Sequence, residues 1–104
     1  DAPDKPDPSG FINLSKKLIG NQLGSSNIPI AYVGDTIADI NTVKNAKKEI
    51  PSQKFISIGI APPHLHSKSR LKERNSYEKN LKNAGANMIL NSIKDLHNIN
   101  LDLF

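Results

Sequence analysis

The chain contains no cysteine, few aromatic residues and no long apolar run. Without cysteine there are no disulfides and no thiolate-bound metals, so we expect a reducing, cytoplasmic compartment. Aromatic residues make up 5% of the 104 residues, so the core must be built from Ile, Leu, Val and Ala. A membrane-spanning helix needs about 20 apolar residues. The polar, acidic N-terminal segment does not resemble a signal peptide, and we expect no membrane partner.

The excess of basic residues gives a net charge of +4, but these residues are spread along the chain. Nucleic-acid binding is usually marked by a basic face or a known motif. Since neither is visible, we expect no nucleic-acid partner, and a basic nucleic-acid-binding domain is the weakest alternative. The length allows one small domain with a modest core.

The first predicted helix begins at Asp7-Pro8. Aspartate accepts backbone N–H groups at a helix N-cap, and proline fits the first helical position because it lacks a donor. Gly20 or Gly24 ends the helix. Its apolar positions are predicted to be Phe11, Leu14 and Leu18.

Short apolar runs alternate with further helical patterns along the rest of the chain. The predicted strands are 28–33, 55–60 and 87–90. The predicted helices are 36–49, 77–84 and 92 to about 97. The apolar stripe of the helix 36–49 comprises Ile37, Ile40, Val43 and Ala46. Such alternation predicts an α/β fold with a parallel sheet and right-handed crossovers, in which ligands bind beyond the carboxyl ends of the strands.

Residues 61–74 form a predicted polar, basic loop. Its His64-Leu65-His66 sequence could bind a transition metal, but we expect both histidines to be exposed to solvent. The basic side chains could contact a phosphorylated substrate. The interpretation that we favour is a mobile, solvated insertion.

Two acids stand where the first strand ends, in the sequence GDTIADI. Asp35 follows the strand, and Asp39 comes four residues later, which would place both on one face of the first helical turn. Hard oxygen ligands suit Mg²⁺, which takes one or two protein carboxylates and completes its shell with water and phosphate. The alternative is that Asp35 caps the helix and Asp39 complements its dipole.

Lys5 precedes these acids in the sequence Lys-Pro-Asp-Pro. The two prolines stiffen the segment around it. A lysine close to carboxylates can hold a phosphoryl group as a point charge. The alternative is an ordinary solvated lysine.

Together these segments resemble the C-terminal half of a haloacid dehalogenase-type phosphatase. The resemblance runs from Lys5 to Leu96 through KPDPSGF, GDTIADI, VKNAKKE, FISIGI and LKNAGANMILNSIKDL. It implies a Rossmann-like three-layer sandwich with a parallel sheet. Residues 1–104 would then be the C-terminal part of one core domain.

The resemblance also implies roles for five residues. Lys5 would pair with the nucleophile and the transferred phosphoryl group. Asp35 would ligate Mg²⁺, and Asp39 would support the metal shell directly or through water. Gly34 would allow a close backbone approach, and Thr36 would start the helix beside the cofactor.

The family's nucleophile and its cap domain are missing from the sequence. The nucleophile is the first Asp of an Asp-x-Asp motif on an earlier strand, and a Ser or Thr on another strand binds phosphate. Asn87 also stands where the family usually has Asp. We therefore expect a fragment that is inactive alone, whose partners are the missing N-terminal half and a small phosphorylated substrate. The alternative is a non-catalytic Rossmann-like binding module.

Overall fold

The computed structural model describes residues 5–25 and 27–104. Residues 1–4, at the start of the predicted domain, lie outside these ranges. The strands are β1 (Ile30–Gly34), β2 (Phe55–Ile60) and β3 (Met88–Leu90), and the α-helices are α1 (Ser9–Ile19), α2 (Ile37–Glu49) and α3 (Leu71–Ala84). None of the helices within these ranges is long and apolar enough to cross a membrane.

The three strands form one parallel sheet in the order β1-β2-β3. Gly34 at the end of β1 pairs with Gly59, and Ile60 at the end of β2 pairs with Leu90. The carboxyl ends of all three strands therefore meet at one edge. The prediction of a small parallel α/β domain is confirmed, and the topology is compatible with a Rossmann-like fold.

The three α-helices cover the same face of the sheet. Phe11 of α1 and Val43 of α2 pack with Phe55 of β2, and Leu81 of α3 lies close to Gly59 on that face. The opposite face packs against the C-terminal segment through Ile99 and Leu101. In the described ranges that segment forms 3-10 turns, so an α-helical layer on both faces, as in the expected three-layer sandwich, is not seen there.

The predicted helix 36–49 corresponds to α2, with Thr36 as its N-cap. Ile40, Val43 and Ala46 are fully buried, as the apolar stripe predicts. Ile37 is the exception, because it is 48% exposed in the first turn of the helix.

The buried face of α1 differs from the prediction. Leu14 is 56% exposed and Leu18 is 69% exposed, whereas Ile12 and Ser15 are buried together with Phe11. Ser15 can occupy a buried position because its hydroxyl donates to the Phe11 carbonyl at 2.9 Å. The apolar pattern of the sequence therefore predicted the wrong face, because the polar residue Ser15 occupies a core-facing position.

The predicted basic loop is partly helical. Pro63–Leu65 and Lys68–Arg70 form 3-10 turns, and α3 begins at Leu71 rather than at residue 77. Leu65 is buried, and the His66 ring bonds to the Ala61 carbonyl oxygen. The segment is therefore not a loop throughout as predicted, but most of its residues, including His64, are exposed as expected. The last predicted helix is the 3-10 segment Ile93–Asn98.

The orientation of α1 predicts that two substitutions in the same helix differ in effect. Ile12→Ala should lower the free energy of unfolding by about 2–5 kcal/mol, since it removes buried methyl groups. Leu18→Ala should change it by no more than about 0.5 kcal/mol, because Leu18 is exposed. Urea denaturation of both variants measures the difference, and equal losses would contradict this orientation.

Candidate functional site at the carboxyl end of the sheet

The Asp39 carboxylate accepts hydrogen bonds from several segments of the chain. It is 3% exposed. Its Oδ1 atom accepts from Lys5 Nζ at 2.5 Å and from the Tyr32 hydroxyl at 3.1 Å. Its Oδ2 atom accepts from the backbone N–H groups of Asp35 and Thr36, each at 3.1 Å, and from Thr36 Oγ1 at 2.9 Å. A carboxylate has about four lone-pair positions, so these donors use its whole capacity.

Local sequence explains why Asp39 reaches this position. The Asp39 N–H group donates to Thr36 Oγ1 at 3.1 Å, and the Asp39 side chain accepts from the Thr36 N–H group in return. This reciprocal pair is a capping box, and it begins α2 directly after β1. A Cβ atom at Gly34 would lie 2.4 Å from Asp39 Cβ. The close approach predicted for Gly34 is therefore made by a side chain of the protein itself.

Lys5 is brought to Asp39 although 34 residues separate them. Its side chain is 52% exposed, and Nζ lies 6.0 Å from the centre of the Tyr32 ring. The Asn45 side chain of α2 donates to the Pro6 carbonyl at 2.9 Å and so holds the Lys-Pro segment against the helix. The ammonium group is thus paired on one side and open to solvent on another.

Asp35, unlike Asp39, lines a crevice of about 310 Å³ at the carboxyl ends of the strands, together with His66 and Ser92. The two acids do not share a helix face as predicted, because Asp35 precedes the N-cap Thr36. They are joined instead through the backbone, since the Asp35 N–H group donates to Asp39. The Tyr77 hydroxyl donates to the Asp35 carbonyl from α3.

The residues present fit Mg²⁺ only as part of a larger ligand set. Asp35 can offer a carboxylate oxygen in the crevice, whereas the oxygens of Asp39 are occupied by donors. One carboxylate completed by water and phosphate oxygens is within the range for Mg²⁺. Within residues 5–25 and 27–104, no group of three or more His, Cys, Asp or Glu side chains could hold a metal ion. His66 is bonded to the Ala61 carbonyl and His64 faces a different groove.

The pKa values of these groups follow from their contacts. Burial disfavours the charged form of Asp39, but hydrogen bonds from Lys5, Thr36 and Tyr32 outweigh it and hold the Asp39 pKa below its usual value of 3.8. The hydrogen bond to Asp39 raises the pKa of Lys5 above its usual value of 10.5. Burial, and then the charges of Asp35 and Asp39, raise the pKa of Tyr77, so its hydroxyl remains a donor at neutral pH.

Several residues of this site were not identified from the sequence. Tyr32 lies two residues before Gly34, so both residues face the same side of β1. Asp39 packs against Gly34 on that side. Ala61 directly follows β2, and Ser92 follows β3 by one intervening residue. A search for side chains beyond the carboxyl ends of all three strands would have found Ser92. His66 was noted in the sequence only as part of a possible metal-binding pair, and the contribution of Tyr77 has no local sequence signal.

Comparison of the chain with models of protein families, with curated proteins and with solved structures found no match. The arrangement of the residues is therefore the observation on which a function can be proposed.

The depressed pKa of Asp39 predicts a contribution to stability that depends on pH. Folded Asp39 binds its proton more weakly than unfolded Asp39, so its contribution is complete above the usual pKa of 3.8 and is lost as the pH falls through the folded-state pKa. We expect Asp39→Asn to remove part of the loss of stability in acid. Urea denaturation between about pH 2 and pH 7 measures this dependence.

The exposed residue Asp102 provides the matched control. Asp102→Asn should leave the acid dependence of the wild type unchanged. An Asp39→Asn variant that loses stability in acid as steeply as the wild type would contradict the assigned role of Asp39.

Proposed function

We propose that this chain is the C-terminal part of a Mg²⁺-dependent phosphatase that resembles the haloacid dehalogenase-type enzymes. It would supply the lysine and the metal-binding acid, and a preceding segment would supply the nucleophile. The parent enzyme would hydrolyse a small phosphate monoester through an aspartyl phosphate. The observation that carries the proposal is the pairing of Lys5 with Asp39 directly beside Asp35 at the carboxyl end of β1.

The contacts of Lys5 suit the binding of a phosphoryl group. Its ammonium group keeps donor capacity, since it has three hydrogens and one carboxylate oxygen partner at 2.5 Å. Asp39 fixes its position from a buried site, so less side-chain entropy is lost when an anion binds. The Lys5 charge can then stabilise negative charge that develops on the phosphoryl oxygens.

Asp35 is the acid that would bind Mg²⁺, because this residue lines the crevice and Asp39 does not. Bound there, the ion would polarise a phosphoryl oxygen as a Lewis acid. Tyr77 and Asp39 bond to the carbonyl and N–H groups of Asp35, respectively, and so fix its backbone from two sides. Thr36 acts in the capping box and holds the same turn.

The β1 edge, one of the two edges of the sheet in the described ranges, is where a strand of the proposed N-terminal half would pair. In the described ranges β1 pairs with β2 alone, and residues 31–34 of this strand are half-buried whereas β2 is buried over most of its length. An unpaired edge can accept another strand. A strand added there would end beside Lys5 and Asp35, where a nucleophilic carboxylate is needed.

The second candidate is a non-catalytic binding module with the same scaffold. It is favoured by one observation: among the described residues, Asp35 is the sole acidic side chain lining the crevice. Such a module would bind a ligand at the strand ends without turning it over.

An assay of the longer protein separates the two candidates. We expect a protein that includes this chain and its preceding segment to hydrolyse p-nitrophenyl phosphate only with Mg²⁺. Asp35→Asn should lower kcat/KM by about 100-fold, because a metal ligand is lost. The 104-residue chain alone should show no turnover, but its Asp35 amide resonance should shift on addition of Mg²⁺.

Asp95 serves as the control, since it is exposed and acidic but lies outside the Asp35 crevice. Asp95→Asn should retain full activity. Turnover that persists unchanged in Asp35→Asn, or that needs no Mg²⁺, would contradict the proposed phosphatase.

A further inference from the structure

The crevice beside Asp35 has the position and size of a small-molecule site. Asp35 follows β1, Ala61 follows β2 and Ser92 follows β3, so the crevice lies beyond the carboxyl ends of all three strands. Ligands of open α/β sheets bind in this position. Its volume of about 310 Å³ is at the small end of the roughly 300–1,000 Å³ found for ligand pockets. A ligand that fills it must therefore be small.

Most of the crevice wall is apolar. The apolar lining residues are Ile60, Ala61, Pro63 and Ile93. Ile93 is 57% exposed, so a large apolar side chain stands open to solvent at the site. Apolar walls with a few placed polar groups are typical of small-molecule sites.

Two polar groups besides Asp35 complete the lining, and each has unused hydrogen-bonding capacity. His66 Nε2 lies 2.7 Å from the Ala61 carbonyl oxygen. A carbonyl only accepts, so Nε2 carries the hydrogen, and in this tautomer Nδ1 is an acceptor. Ser92 Oγ accepts from the Lys94 N–H group at 3.2 Å and keeps its own hydrogen. Within the described residues neither Nδ1 nor this hydroxyl hydrogen has a partner.

We propose that the crevice binds the organic part of a small phosphate monoester, and that this part is mainly apolar, with one hydroxyl oxygen bound by His66 and Ser92. When the P–O bond breaks, the leaving oxygen would take a proton from solvent, and the resulting alcohol would donate to His66 Nδ1 and accept from the Ser92 hydroxyl. The assignment of this ligand as a leaving group rests on the proposed phosphatase function, but binding of the alcohol does not.

A polyhydroxylated substrate fits this crevice poorly. A sugar would place several hydroxyl groups against Ile60, Pro63 and Ile93, which offer no hydrogen-bond partner there, and each unpaired group would cost free energy. A larger groove of about 750 Å³, lined by polar residues including Lys72, Ser76 and Asn80, would suit such a ligand. Asp35 does not line that groove, so under the proposed function the phosphate ester would react at the smaller crevice.

NMR titration of the 104-residue chain tests the proposal without requiring turnover. Phenol is the probe, because it has one hydroxyl on an apolar ring, and glycerol is the polar comparison. We expect phenol to shift the amide resonances of Ala61, His66 and Ile93 in a saturable manner, and glycerol at equal concentration to leave them unchanged. Ile93→Ser should raise the Kd for phenol about fivefold, since it removes apolar contact.

Leu71→Ser is the matched control, because Leu71 is 55% exposed and lies outside the crevice. It should leave the Kd for phenol unchanged. Both positions are exposed, so we expect both variants to fold, which their spectra report directly.

The outcomes separate this inference from the proposed function. If the longer protein hydrolyses p-nitrophenyl phosphate with Mg²⁺ but phenol does not shift the crevice residues, the inference is overturned and the phosphatase remains. Equal shifts with glycerol, or an unchanged Kd in Ile93→Ser, would also overturn it. If phenol binds as described but the longer protein shows no hydrolysis, the crevice remains an alcohol site and the phosphatase is overturned.

Discussion

The buried carboxylate of Asp39 is the constraint on which the rest of the site depends. A buried charge is costly unless it is paired and hydrogen-bonded. Asp39 meets this requirement with donors from three places: Lys5 ahead of α1, Tyr32 in β1, and the turn at residues 35–36. Within the described ranges no buried side-chain polar atom lacks a partner. These segments therefore have to meet where Asp39 is buried, and the missing side chain of Gly34 leaves the room.

This constraint separates the two acids by role. The Asp39 oxygens are occupied by donors from the turn and from Lys5, whereas Asp35 follows β1 and lines the crevice. Because the Asp35 N–H group donates to Asp39, a substitution of Asp39 would alter the position of Asp35, although Asp39 itself would contact no ligand. A phosphoryl group bound between Lys5 and Asp35 would therefore depend on Asp39 indirectly. The same scaffold would serve a binding module equally well, because nothing in the Asp39 network requires a nucleophile.

Much of the fold could be predicted from the sequence, because apolar runs and turn residues mark the strands and α2. The motif resemblance assigned Lys5 to the same site as the two acids, but it paired Lys5 with a nucleophile, so the contact with Asp39 was not predicted. Three further features could not be predicted. Ser15 is buried because its hydroxyl bonds to a carbonyl of its own helix, and this polar residue breaks the apolar pattern that would have marked the buried face of α1. The first turns of α3 are rich in charged residues, so their sequence shows no helical spacing of apolar residues. This part of the helix is stabilised instead by the Arg74–Glu78 ion pair at 3.1 Å. His66 reaches the crevice only through the 3-10 turn before it.

The most direct test of the account is amide hydrogen exchange at Asp35 and Thr36, whose N–H groups donate to the Asp39 side chain. The Ile58 amide in the central strand is the reference for global unfolding. In Asp39→Ala the exchange of the two turn amides should accelerate at least about tenfold relative to Ile58, since their acceptor is gone and the turn opens locally. If both amides exchange in Asp39→Ala as slowly, relative to Ile58, as they do in the wild type, Asp39 does not hold the end of β1 and the central claim is wrong.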